Sequence, residues 1–113
     1  TGRIWHVLQL RFTLICSSTA ASRRVHIVFD DAADVFLDSF NDVDQIASQG
    51  FEYTVASFPD MPDRADADDM LISIPDNIWI PETSAITTVT TNLQVGDDYG
   101  TMLARVEEFF MSN

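Results

Sequence analysis

The chain reads as an all-β protein: one antiparallel β-sandwich domain of about eight strands over residues 1–113. Three observations predict this. Residues 3–17 alternate apolar and polar. Residues 78–110 are rich in β-branched and aromatic side chains. Turn signals recur at a spacing of roughly 8–12 residues, the rhythm of a sandwich or barrel. Capped helix-forming stretches are missing, apart from a possible turn at Glu82-Thr83-Ser84.

In the first strand, Ile4, Leu8, Leu10, Phe12, Leu14 and Cys16 share one parity, with His6 among them; Gln9, Arg11, Thr13 and Ser17 take the other. That is the period of a strand with one buried face. Residues 17–22 (SSTAAS) are small and polar, a loop by composition. Residues 23–30 alternate again, with Val25, Ile27 and Phe29 on one face and His26 and Val28 on the other; Asp30-Asp31 ends the run in a turn. Together Leu8, Leu10, Phe12, Leu14, Val25, Ile27 and Phe29 form the predicted core.

Residues 32–40 fit a helical face or a short strand, and strand is the reading adopted. Residues 41–50 are polar, with room for a short strand over 43–47 before the turn at Gly50. Residues 51–58 alternate Phe51, Tyr53 and Val55 against Glu52 and Thr54, again a strand. Residues 59–69 (PDMPDRADADD) form a long irregular loop with two prolines and five aspartates. Residues 70–74 are a strand closed by Pro75-Asp76, 78–81 a short extended piece, and 85–93 a threonine-rich strand. Residues 95–100 turn, and 101–110 form the last strand.

Composition excludes some roles. There are 18 acidic residues against 6 basic, a net charge of −12, and every basic residue is arginine. Such a surface repels nucleic acid and anionic membranes, and no direct nucleic-acid or membrane partner is expected. It suits a basic or cation-screened partner equally well as simple solvation. No apolar run approaches the roughly 18 residues a spanning helix needs. Ala20-Ala21-Ser22 faintly resembles a signal-cleavage site, but Arg11 interrupts the apolar segment before it, and strand alternation explains that segment better.

No reactive constellation is legible, and an enzyme is not expected. Cys16 is single and lies on the core parity, so it reads as a small buried residue. The serines lack a supporting motif, and a zinc site wants three or four Cys or His ligands, which two histidines and one cysteine barely furnish. Asp60, Asp63, Asp66, Asp68 and Asp69 are the best metal candidates, since calcium takes six to eight oxygens. Their spacing does not match an EF-hand loop, and a solvated acidic loop with no specific metal is the favoured reading. Asp30-Asp31 and Asp97-Asp98 would form a second acidic site if their turns met, although turn chemistry explains both pairs. No cofactor is expected. Trp5, Trp79, Phe109 and Phe110 read as core or as interface anchors. If Phe109 and Phe110 share a strand they point to opposite faces, one buried and one outward.

One resemblance rests on both ends of the chain. Ile4-Trp5-His6, the loop Ser18-Thr19-Ala20-Ala21-Ser22 and the arginine-led Arg23-Arg24-Val25 are followed, near the end, by four further motifs. These are Trp79-Ile80-Pro81, Thr90-Thr91-Asn92-Leu93, Gly96-Asp97-Asp98-Tyr99 and Val106-Glu107-Glu108-Phe109. This order resembles small β-sandwich structural proteins of tailed-bacteriophage virions, with the middle of the chain unmatched. The resemblance implies a jelly-roll-like, homo-oligomeric decoration (cement) protein on the capsid exterior, bound to the major capsid protein, and it carries over no active-site residues. The alternatives are a calcium- or carbohydrate-binding β-sandwich module, or a small tail or neck component.

Overall fold

The computed structural model describes residues 2–57 and 69–110, and everything below concerns those residues. They are built from strands and turns, with no helix. The nine strands are β1 (Arg3–Ile15), β2 (Val25–Asp30), β3 (Val35–Phe40), β4 (Gly50–Ala56), β5 (Asp69–Ser73), β6 (Trp79–Pro81), β7 (Ala85–Thr90), β8 (Asp98–Tyr99) and β9 (Leu103–Phe110). The segment 32–40 is indeed extended over β3. The short strand expected at 43–47 is absent; there Gln45 makes a single bridge to Arg23.

Two sheets enclose the core. One has six strands around the long β1, and the other has the order β3-β2-β7. Along one edge β1 pairs with β4 over Gln9–Ile15 and with β6 over Ile4–His6; along the other it pairs with β9 and then β8. All of these pairs are antiparallel. One pair departs from the antiparallel pattern of the sandwich: β5 runs parallel to β4, Glu52 opposite Asp69 and Val55 opposite Ile72. Two parallel neighbours cannot be joined by a hairpin, and residues 57–68 separate β4 from β5 in the sequence.

Inward side chains interlock across the gap. Leu10, Phe12 and Leu14 lie opposite Val55, Tyr53 and Phe51, and all six are buried. The Phe12 and Tyr53 rings stack 5.1 Å apart. From the second sheet come Val25, Ile27 and Phe29, all buried, as expected. Cys16 is buried beside them, and burial pushes its thiol pKa up, so it is a poor nucleophile.

Leu8 corrects the predicted core. The β1–β9 register slips between Val7 and Gln9, leaving Leu8 as the extra residue of a β-bulge. Because the side-chain period is 2, one extra residue exchanges the two faces. Beyond the bulge the even residues point inward, from Leu10 onward. Before it the odd residues do, and Val7 is buried while Leu8 is only half-buried. The bulge therefore turns Arg3 and Trp5 toward the gap between the sheets, and Ile4 and His6 onto the outer face.

Candidate docking surface and the buried lock

The bulge decides where the four candidate anchors go. Residues directly opposite in a ladder share a face. Ile4 is opposite Phe109, and His6 is opposite Glu107 and Trp79, so Trp79 and Phe109 join His6 on the outer face. The His6 ring stacks on Trp79 at 4.6 Å and 13°, and Trp79 meets Phe109 at 5.3 Å. Trp5 and Phe110 fall on the inner side, opposite Glu108 and Arg3 respectively. Thus the structure brings Trp79 and Phe109 together and sets Trp5 and Phe110 on the other face of the same corner. The expectation that one of Phe109 and Phe110 is buried fails: they are 47% and 73% exposed. β9 pairs only with β1 among the described strands, and seven of its eight residues are exposed.

Polar partners orient this corner. His6 Nδ1 lies 2.8 Å from Glu107 Oε1, and Nε2 lies 2.7 Å from the Asp76 carbonyl. A ring with an acceptor at each nitrogen favours the doubly protonated form, so the Asp76 carbonyl and then Glu107 raise the His6 pKa above its ordinary 6.5. The Trp5 indole N–H donates to Glu108 Oε1 at 2.9 Å. Arg3 lies over the Phe110 ring at 5.8 Å. The result is a set of large apolar rings held in fixed orientation and left open to solvent, which is how interface anchors are built.

On the inner side of the corner the sandwich is open. A cleft of ≈ 430 Å³ is walled by Trp5, Ile80, Pro81 and Ile86, with Arg3, Glu82 and Ser84 supplying the polar groups. The Ser84 hydroxyl is buried and has no hydrogen-bond partner among the described residues.

The opposite end of the sandwich is closed by polar residues. Arg23 is wholly buried, and its guanidinium holds Asp97 with two 3.0 Å hydrogen bonds in a fork. It also donates to the Ala21 carbonyl at 2.8 Å. Asp97 accepts from the backbone N–H groups of Ser17 and Gln94, each at 2.8 Å. The Arg23 guanidinium, then these N–H groups, hold its carboxyl far below the ordinary carboxylate range. Gly96, at φ 92°, supplies the left-handed residue that turns Asp97 inward. Beside this pair, buried Gln45 donates to the carbonyls of Leu14 and Gln49 and accepts from the Tyr53 hydroxyl at 2.8 Å.

Sequence reading missed this lock, taking Asp97 as a turn residue and Gln45 as part of a polar segment. A signal was present: an arginine leading an apolar strand and a Gly-Asp turn are the two short motifs that meet here. The two acidic turns do not meet. Asp97 is tied to Arg23 just before β2, whereas Asp31 lies just after β2 and caps its own turn through the N–H groups of Ala33 and Asp34.

Of the metal candidates, Asp60, Asp63, Asp66 and Asp68 lie outside the described residues. Asp69 opens β5 opposite Glu52. Among the described residues no three His, Cys, Asp or Glu side chains converge as metal ligands. Compared with protein-family models, curated proteins and solved structures, the chain matches none.

Proposed function

We propose that this chain is a structural subunit of a tailed-bacteriophage virion, a decoration protein that docks on the capsid exterior and contacts the major capsid protein. The general part of the reading, a docking subunit, is carried by one observation: Trp79 and Phe109 are in tilted ring contact, oriented and 48% and 47% exposed at one corner of the larger sheet. Rings that large are seldom left open on a surface with no partner. The particular part, the virion, rests on the resemblance of the two chain ends. With a net charge of −12 the subunit suits a shell surface that is basic or cation-screened.

The test mixes purified protein with undecorated particles. Binding is expected to saturate at a fixed stoichiometry and to raise the particles' resistance to heat. Trp79→Ala and Phe109→Ala should each weaken binding about tenfold or more, as anchor truncations do. Unsaturable binding, or indifference to both substitutions, would overturn the reading.

A second reading, a carbohydrate-binding module, is favoured by the open cleft. Trp5 offers a wall against which a sugar ring can lie, and the Ser84 hydroxyl lacks a partner among the described residues. Saturable oligosaccharide binding lost in Trp5→Ala, with no binding to particles, would favour it.

A further inference from the structure

We propose that two copies of this chain join through the free edge of β9, as an antiparallel β9–β9 pair about a two-fold axis at Val106. The larger sheet then runs continuously from one copy into the other. This goes beyond the virion reading and does not depend on it.

The first ground is the edge itself. Among the described residues β9 pairs only with β1, and the backbone N–H and C=O groups of its other edge have no strand partner among them. It is eight residues long, free of proline and glycine, and seven of the eight are exposed. The opposite edge of the same sheet is different: β5 has five residues, and its Leu71 carbonyl already accepts a hydrogen bond from Asn41 Nδ2 at 2.9 Å.

The second ground is charge complementarity, which selects both the occupant and the register. Pairing with β1 puts Leu103, Arg105, Glu107 and Phe109 on the outer face and Ala104, Val106 and Glu108 on the inner one. A two-fold axis perpendicular to the sheet keeps each face on its own side. Residues directly opposite must therefore share parity, and the axis must pass through a residue pair rather than between pairs. Centring on Arg105 sets arginine against arginine, and centring on Glu107 or Glu108 sets glutamate against glutamate. Centring on Val106 sets Arg105 against Glu107 twice and Leu103 against Phe109 twice. That register alone is complementary in both charge and apolar contact.

Arg105 gives the argument its weight. Arg3, Arg11, Arg23 and Arg24 each lie beside a carboxylate of their own chain. Arg105 forms no ion pair with any described residue, in a chain with 18 acids. In the dimer it gains Glu107 of the second copy. Leu103 of that copy, 65% exposed in the single chain, meets Phe109 and extends the apolar contact between Trp79 and Phe109.

Sedimentation equilibrium of the full chain, at 0.15 M salt or above where long-range repulsion is screened, should show a dimer. Arg105→Glu and Glu107→Arg should each raise the dissociation constant about tenfold or more, because each sets like charges face to face twice. Mixing the two variants should restore the wild-type constant, since all four facing charges are then opposite. In the wild type, hydrogen exchange of the β9 amides should slow as concentration rises. A wild-type monomer up to about 1 mM, with β9 exchange independent of concentration, would overturn the proposal. So would dimers indifferent to both substitutions, or a mixture no tighter than either variant alone. A dimer that ignores particles leaves this inference standing and removes the virion reading; a monomer that binds them does the reverse.

Discussion

The two ends of the sandwich invert the usual rule of apolar inside and polar outside. At one end an arginine, an aspartate and a glutamine are buried; at the other, tryptophan and phenylalanine rings lie open. The buried end is tolerable because its ion pair and amide are met by well-placed partners: Arg23 by a carboxylate and a carbonyl, Asp97 by a guanidinium and two backbone N–H groups, Gln45 by three oxygens. The open end has no such closure. Polar contacts from Glu107, Glu108 and Asp76 orient its rings without covering them. Burial of polar groups marks where the fold is locked, and exposure of rings marks where it is unfinished.

That contrast breaks most visibly at Asp97. Asp97→Ala strands the Arg23 charge in the interior, which is far more costly than never having placed it there. The melting temperature should fall by more than about 10 °C. A thermal melt within about 2 °C of wild type would show the lock to be dispensable. Arg23→Lys should also lose most of the stabilisation, because an ammonium cannot reproduce the planar fork.

An ordinary core residue is the yardstick. Phe12→Ala removes a buried ring stacked on Tyr53 and should cost on the order of 3–5 kcal/mol by denaturant unfolding. A much smaller value would mean that the two sheets close over the void.

The ends should also differ in pH dependence. The Asp97 carboxyl has a folded pKa depressed by Arg23, so its contribution is fully present above its ordinary value of 3.8 and is lost as pH falls toward the folded value. His6 has a folded pKa raised by the Asp76 carbonyl and Glu107, so its contribution is present below 6.5 and is lost as pH rises through the folded value. Stability should therefore decline on the acid side through Asp97 and, by a smaller amount, on the alkaline side through His6. His6→Gln should abolish the alkaline decline and leave the acid one. Melts across pH 2–9 read both.

Smallest of all should be the effect of Trp79→Ala on stability, about 1 kcal/mol or less, since the ring is half exposed. A loss as large as that of Phe12→Ala would make the aromatic corner part of the core rather than a docking surface.

Much of the sheet was legible in the chain itself. Alternation at Leu10, Phe12 and Leu14 and at Val25, Ile27 and Phe29 reports the core because a strand exposes one face to it, and this needs no partner to be known. The strand at β3 was legible only in part: Val35 and Leu37 fit strand alternation, while Val35, Phe36 and Phe40 fit a helical face equally well. Leu8 was not legible, because a bulge depends on how β9 meets β1: before it both parities hold apolar residues, Trp5 and Val7 on one and Ile4 and Leu8 on the other, so the alternation of β1 alone does not say which face is inward. The candidate anchors could be picked out as large rings near strand ends, but their division between two faces follows from that same bulge.

By itself, then, the sequence determined the all-β class, the single buried thiol and the acidic surface, because these depend on local period and on side-chain chemistry. The tertiary structure alone decided that Arg23 meets Asp97 across 74 residues and that Trp79 meets Phe109. It also decided that β5 runs parallel to β4 and that Leu8 yields its inward place to Val7. These are pairings between distant segments, and a pairing is set by register, twist and the closing of the core, none of which any one segment carries.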